Sequence, residues 1–369
     1  MVNVNILWFS LLPILVCAIL WNTVPLNSVK DKSIMSGIFF AFSLLFITLA
    51  FLISSGVATS DIEIWNGKIT SKDRIHDHHL ESYECNCRTT TSGSGQDART
   101  TTTCDTCYTD HYTVAWVCNS TLGPYEIDKK DWTSRAVYAL PNPARWSSIN
   151  IGDPAAKRHR YTNYVQAVPE SLFKSSPEKL KLQFASLTPA YPDSVYDFYK
   201  INRVLAPGHS VPDLADWNND ISMMLRDLGP SKQVNVIVVI AKSDNSNYEF
   251  ALRDAWEGAN KNDVVLVIGS KEYPKIDFVR VISWTKNEKF KIELRDNVQD
   301  LEQVNRPEIV KILQAQIVKN FERRHMKDFE YLQNEIDPPA WVLAITAVLI
   351  ILAGVGVYLN YTGGFKWFL

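Results

Sequence analysis

Four of the six cysteines stand in two close pairs whose spacing suits metal binding or disulfide formation. Two turns that each present two thiolates can complete a tetrahedral Cys₄ zinc site. The alternative is two disulfides, which an oxidising compartment favours. Each would join one pair to the other, because a bridge within a Cys-x-Cys pair is strained. With zinc or with disulfides, the role of the cysteines is structural, because they cross-link a segment that has little core of its own. The candidates are Cys85, Cys87, Cys104 and Cys107, and Cys118 is left over.

A histidine-rich stretch, RIHDHHL, precedes the first cysteine pair. In a strand, His76 and His78 would share one face and His79 would point away. Such a cluster can bind transition metals or sense pH near the unperturbed histidine pKa of about 6.5. The simpler interpretation is a polar surface strand. The other four histidines are isolated, and no spacing links them to this cluster.

Asp263 is the candidate catalytic residue. It begins an apolar run after a turn, and side chains at a sheet edge can meet a ligand; the alternative role is capping of that turn. No nucleophile elbow, HExxH motif, phosphate-binding glycine loop or dinucleotide fingerprint occurs in the sequence. A non-enzymatic role is therefore expected.

The elements that must position these residues fall into two regions. Residues 59–150 alternate like short strands, and a polar low-complexity segment, 88–103, suits a loop or the edge of a β-ribbon. Residues 151–337 have an α/β pattern, in which continuous apolar runs predict buried strands. The predicted strands are 234–240, 263–269, 278–284 and 290–294, and the predicted helices are 213–228, 248–260 and one from Pro307 to about Asn334.

Three uncharged apolar segments, 6–21, 34–58 and 341–361, flank this polar region. We predict three transmembrane helices, two within residues 1–58 and one within 338–369, although the first could be a signal sequence. Lys30 and Lys32 place the short connector in the cytoplasm and the polar domain on the exoplasmic side. The formal net charge of −2 gives no basic field, so we expect no nucleic-acid partner.

Several motifs resemble a family of uncharacterised membrane proteins from tailed bacteriophages and bacteria. They include DIEIWNGKITSKDRIHDHHLESYECNCR, CDTCY, DHYTVAW and GPSKQVNVIVV, and the resemblance covers about residues 59–330. It implies no assigned activity. The family's cysteine segment is denser than this one, where threonines occupy residues 89–91 and 100–103. The persistence of the CNC and CDTC pairs favours a metal site.

Residues 195–320 also resemble a TPM domain, through NRV at 202–204 and KNDVVLVIG at 261–269. That resemblance implies a small α/β sandwich tethered outside the cytoplasm, in some members with phosphatase activity or calcium binding. Asp263 would belong to its acidic cluster. The acidic residue that follows NRV in the family is absent, because Leu205, Ala206 and Pro207 stand there.

Together these features predict a phage-type integral membrane protein in the inner membrane of an infected bacterium. Its fold would be a TPM-like α/β sandwich and a cysteine-containing β-rich module, displayed in the periplasm in a structural or interaction role. The expected partners are the lipid bilayer and a membrane protein or a second copy, with zinc as the one candidate cofactor. The alternative is a membrane-anchored TPM-like phosphatase or metal-dependent hydrolase that uses Asp263.

Overall fold

The computed structural model describes residues 4–26, 28–93, 99–168, 177–197, 200–336 and 338–362. Three apolar helices lie at the two ends of the chain: α1 (Val4–Thr23), α2 (Val29–Ala58) and α10 (Ala340–Thr362). They pack on one another, and Leu20, Phe39 and Ile350 are buried between them.

Two of these helices, α2 and α10, are long and apolar enough to cross a membrane, with mean hydropathies of 2.4 and 2.7. Only 17% and 22% of their most apolar stretches are buried within the protein. In α1 the side chains are described from Leu11 onward, and this apolar stretch, Leu11–Thr23, is shorter than α2 and α10. Among the residues with described side chains, two helices therefore have the length and apolar composition of a membrane span, against the predicted three.

A four-stranded antiparallel sheet follows α2, with the strand order β3-β2-β1-β4. Strand β1 pairs with β4 through residues 60–68 and with β2 through residues 69–92. A 3₁₀ helix (Arg135–Ala139) and α3 (Ala144–Ser148) lie between β3 and β4 in the chain, and α4 (Tyr164–Ala167) follows β4. The β-rich character predicted for this region is confirmed. The strands are β1 (Ser60–Ser92), β2 (Arg99–Ser120), β3 (Gly123–Trp132) and β4 (Pro154–Thr162).

Strands β1 and β2 continue beyond the rest of the sheet. Strand β3 ends at Trp132, opposite Tyr112 of β2, and β4 pairs only with the start of β1. Residues 79–92 and 99–111 therefore form a two-stranded antiparallel extension, which we call the ribbon. The low-complexity segment is ribbon strand over 88–92 and 99–103.

The second sheet has the order β5-β6-β7-β8 and lies between two layers of helices. Strands β5, β6 and β7 are parallel and β8 is antiparallel to β7. Helices α6, α8 and α9 cover one face, and α5 and α7 cover the other. This mixed sheet between helices confirms the predicted α/β architecture. Its relation to the TPM fold stays a prediction. The elements are α5 (Glu178–Phe184), β5 (Val204–Leu205), α6 (Leu214–Lys232), β6 (Asn235–Ala241), α7 (Tyr248–Ala255), β7 (Asp263–Gly269), β8 (Phe278–Ser283), α8 (Glu288–Gln299) and α9 (Arg306–Asn320).

Two predictions in this region are wrong. Residues 290–294 belong to helix α8 and not to a strand, because Phe290, Leu294 and Val298 repeat every four residues and are all buried. Helix α9 does not continue to about 334. It ends at Asn320, because the backbone of Phe321 is extended. A separate 3₁₀ helix, Met326–Glu335, then leads to α10.

Candidate functional site: the disulfide-bonded ribbon

The four paired cysteines form two disulfides across the ribbon, Cys85–Cys107 and Cys87–Cys104. Each bridge joins one sequence pair to the other, as the disulfide interpretation requires. In this state the ribbon has no thiolate for a zinc ion, and the Cys₄ zinc site stays a prediction for the reduced chain. Cys118 is a buried free thiol, and burial raises its pKa.

The ribbon has no apolar core, because its strands have no third layer on either face. Side chains along it are almost all exposed, and the threonines hydrogen-bond across the strands, as in the pair Thr89–Thr102 at 3.1 Å. An isolated two-stranded hairpin is only marginally stable in water. The two disulfides therefore supply the constraint that a core would otherwise provide.

Large apolar side chains are nevertheless displayed on the ribbon. Leu80, Tyr83 and Tyr108 are 57%, 51% and 63% exposed. By strand register, Leu80 and Tyr108 lie on one face, and Tyr83 lies on the other beside the Cys85–Cys107 bridge. Exposed aromatic side chains on a rigid support are typical of protein contact surfaces.

The histidines of RIHDHHL divide between the two faces as predicted. His76 stacks on Tyr138 with ring centroids 4.4 Å apart, and His78 stacks on Tyr112 at 4.6 Å. These contacts give both rings a packing role where the ribbon leaves the sheet. His79 lies on the opposite face.

His79 faces His111, a histidine that the sequence analysis treated as isolated. The two residues are directly opposite in the register of β1 and β2, and their rings stack 5.3 Å apart. Around His111, its Nδ1 lies 3.1 Å from Asp131 Oδ1 and its Nε2 lies 3.0 Å from Glu81 Oε2. Sequence spacing could not reveal this cluster, because its members come from three strands.

Asp263 lies at the amino end of β7 and is fully buried. Its carboxylate accepts hydrogen bonds from the Tyr191 hydroxyl at 2.7 Å, the Asn260 backbone N–H at 2.8 Å and the Asn235 side-chain amide at 2.9 Å. Burial raises its pKa to about 6. Ligands of open α/β sheets bind at the carboxyl ends of the strands, so this end is the opposite one.

The polar residues next to Asp263 join the two sheets. The Asn66 amide of β1 donates to the Val234 carbonyl at 3.0 Å, and the buried Arg203 guanidinium donates to Asn66 Oδ1 at 2.6 Å and to the Asn235 side chain. A groove of about 490 Å³ reaches Tyr191 and Asn260, but Asp263 is not among its lining residues. These contacts assign Asp263 a structural position, and its catalytic role stays an untested alternative.

A buried ion pair ties the same boundary to the segment that leads into α10. Glu63 of β1 is fully buried and accepts two hydrogen bonds from Arg323, at 2.6 and 2.8 Å. A buried carboxylate needs such a partner, because an unpaired charge in the interior is strongly destabilising.

Comparison of the chain with protein-family models, with curated proteins and with solved structures finds no match in any of the three. The bacteriophage and TPM resemblances therefore stay predictions from the sequence, and a functional assignment must come from the geometry of the ribbon and its surroundings.

Proposed function

We propose that the chain is a membrane-anchored protein whose exoplasmic domain presents the ribbon as a contact surface for a protein partner. The observation that carries this proposal is the ribbon itself, a coreless extension stapled by two disulfides that displays Leu80, Tyr83 and Tyr108 to solvent. Exposing large apolar side chains and cross-linking a surface hairpin contribute little to the domain's own core. A binding role accounts for both features.

Membrane anchoring is supported by α2 and α10, whose outward surfaces are apolar. Leu44, Leu52 and Leu352 are exposed on these helices, and large contiguous apolar surfaces are rare on soluble monomers. A lipid bilayer would cover them. An exoplasmic location is supported by the disulfides, which persist in oxidising compartments. The setting of an infected bacterium rests on the sequence resemblance alone.

The length of β1 would allow the ribbon to reach a partner away from the bilayer surface. Strand β1 starts at Ser60, directly after α2 ends at Ala58, and is 33 residues long. At about 3.3 Å per residue it extends roughly 100 Å. Its first part packs in the domain, and its second part projects as the ribbon.

Site-specific photo-cross-linking tests the proposal. A benzophenone amino acid replaces Tyr83 on the ribbon, and the matched control replaces Tyr196 on the α/β domain. The two side chains are similarly exposed, Tyr83 at 51% and Tyr196 at 49%. We expect covalent adducts in native membranes from the Tyr83 position and none from Tyr196. An adduct of twice the 41.9 kDa chain would identify a second copy as the partner. No adduct at Tyr83, or equal yields at both positions, would refute the ribbon as the contact surface.

Orientation is tested by counting thiols. Alkylation of the denatured protein from intact cells should modify only Cys17 and Cys118 before reduction and all six cysteines after it. Six modified cysteines without reduction would contradict an oxidising location.

A further inference from the structure

We infer that the base of the ribbon holds a transition-metal site, formed by His79, His111 and Asp131. These residues come from β1, β2 and β3 respectively, and one donor atom from each lies within 4.8 Å of the others. This site is separate from the cysteines and does not depend on the proposed contact function.

The strand register delivers the three side chains to one face of the sheet. His79 is directly opposite His111, and Asp131 is opposite Thr113, two residues from His111 on the same strand. Residues two apart in a strand point to the same face. The ligands therefore stand on hydrogen-bonded strands rather than on loops, and such positions hold a site more rigidly.

The separations suit a small ion. Zinc binds imidazole nitrogen and carboxylate oxygen at about 2.0–2.2 Å, so two ligands of one tetrahedral ion lie about 3.3 Å apart. His111 Nδ1 and Asp131 Oδ1 are already 3.1 Å apart. A metal ion between these two atoms would replace the proton that His111 Nδ1 and Asp131 Oδ1 share. His79 is exposed, and one of its nitrogens lies within 4.8 Å of a donor atom of each of the other two residues, so a change of rotamer would turn it toward the same point.

Neighbouring groups hold the other polar atoms of these ligands. Glu81 Oε2 lies 3.0 Å from His111 Nε2, so with Nδ1 on the metal the Nε2–H would donate to this carboxylate. Thr113 Oγ1 donates to Asp131 Oδ2 at 3.2 Å. A second carboxylate behind a metal-bound histidine is the usual way in which a protein fixes the ring's tautomer and orientation.

The donor set indicates the class of ion. Two imidazoles and a carboxylate suit Zn²⁺, Cu²⁺ or Ni²⁺, whereas Ca²⁺ and Mg²⁺ prefer oxygen ligands alone. The carboxylates of Asp131 and Glu81 would balance the charge of a divalent ion. Three protein ligands leave one position of a tetrahedral ion for water or for a group from a partner. The ion would clamp three strands at the point where the ribbon leaves the sheet.

Zinc titration of the full chain in detergent tests the inference. The protein carries no histidine tag, its disulfides are intact, and it is stripped with a chelator before Zn²⁺ alone is added against a competing indicator. We expect one Zn²⁺ per chain. His111→Gln and Asp131→Asn should each weaken binding at least about 100-fold, and Glu81→Gln about 10-fold, the usual range for a residue behind a ligand.

The matched control is His78→Gln. His78 lies on the opposite face in a 2.7 Å pair with Asp110, and among the described residues no third potential ligand groups with this pair. It should bind Zn²⁺ as the wild type does. Absence of binding by the wild type, equal loss in His78→Gln, or binding that appears only after reduction and disappears when the cysteines are replaced would overturn the inference. Normal disulfide content in each variant shows that it is folded.

Discussion

Replacing Cys87 and Cys104 by serine removes one ribbon disulfide and leaves the other, Cys85–Cys107, in place. Because the ribbon has no core, its opening is expected to be local, separate from unfolding of the sheet below it. The variant therefore measures what a single bridge contributes to keeping the ribbon closed.

The magnitude follows from the size of the rings. In the chain-entropy description, a cross-link destabilises the open chain more when it closes a larger ring. The bridges have sequence separations of 22 and 17 residues. When one bridge is already formed, the second closes an additional ring of only about five residues. Such a ring contributes about 2 kcal/mol, and a first bridge closing about 20 residues contributes about 3 kcal/mol. Losing either disulfide should raise the opening constant about 30-fold, and losing both about 5,000-fold.

Hydrogen exchange of the full chain in detergent measures this. Ribbon amides of the variant with one bridge should exchange about 30-fold faster than in the wild type, and those of the variant with four serines should exchange like an unstructured peptide. Amides of the buried strand β6 provide the internal control and should not change. If loss of one bridge removed all protection, or if ribbon amides stayed protected without either bridge, the reasoning from ring size would be wrong.

Three further predictions concern the boundary between the sheets. Gly229→Ala would press a methyl group against a backbone carbonyl of β1 and should lower the free energy of unfolding by about 1–3 kcal/mol in chemical denaturation; wild-type stability would contradict the close packing. The pKa of Asp263 is about 6 in the folded chain, against an ordinary value of 3.8. Its contribution to the free energy of unfolding is therefore present below about pH 4 and is lost as pH rises through 6. Relative to Asp263→Asn, the wild type should lose up to about 3 kcal/mol between pH 4 and 7, and parallel pH profiles would refute this. Glu63→Gln removes the negative charge that pairs with Arg323, whose remaining partner is the Gln233 side chain, and should cost up to about 3–5 kcal/mol, whereas Asp244→Asn in an exposed pair should leave the melting temperature unchanged; equal effects would argue against burial.

Patterns with a long continuous signal were predictable from the sequence. The runs 234–240 and 263–269 are apolar except for Asn235 and Asp263, and both become strands that are buried on both faces. The segment 290–294 shows why a short run is ambiguous. Phe290, Ile292 and Leu294 alternate as in a strand, but adding Val298 gives a four-residue repeat that the helix α8 satisfies. Only the longer window separates the two periods.

The metal cluster could not be predicted, because pairing register is not a local property of the chain. His79 and His111 are brought together by a hairpin of more than thirty residues, and Asp131 arrives on a third strand. A shift of one residue in that pairing would turn His79 to the other face. The disulfides are different, because the strain of bridging Cys85 to Cys87 already predicts that any bridges join one pair to the other, and the register then decides which cysteines meet.

Strand β1 relates these features to one another, since it runs without interruption from the end of α2 to the disulfides. Along it lie Glu63, which holds the segment before α10, then Asn66 at the boundary of the second sheet, then His79 and finally Cys85. Each point fixes the strand to a different neighbour, so the ribbon is connected through β1 to α2 and to the segment that precedes α10. A binding surface held in this way loses little conformational freedom when a partner binds, and preorganisation of that kind raises affinity without additional contact area. In the proposed function, the disulfides would therefore serve the contact rather than the stability of the domain.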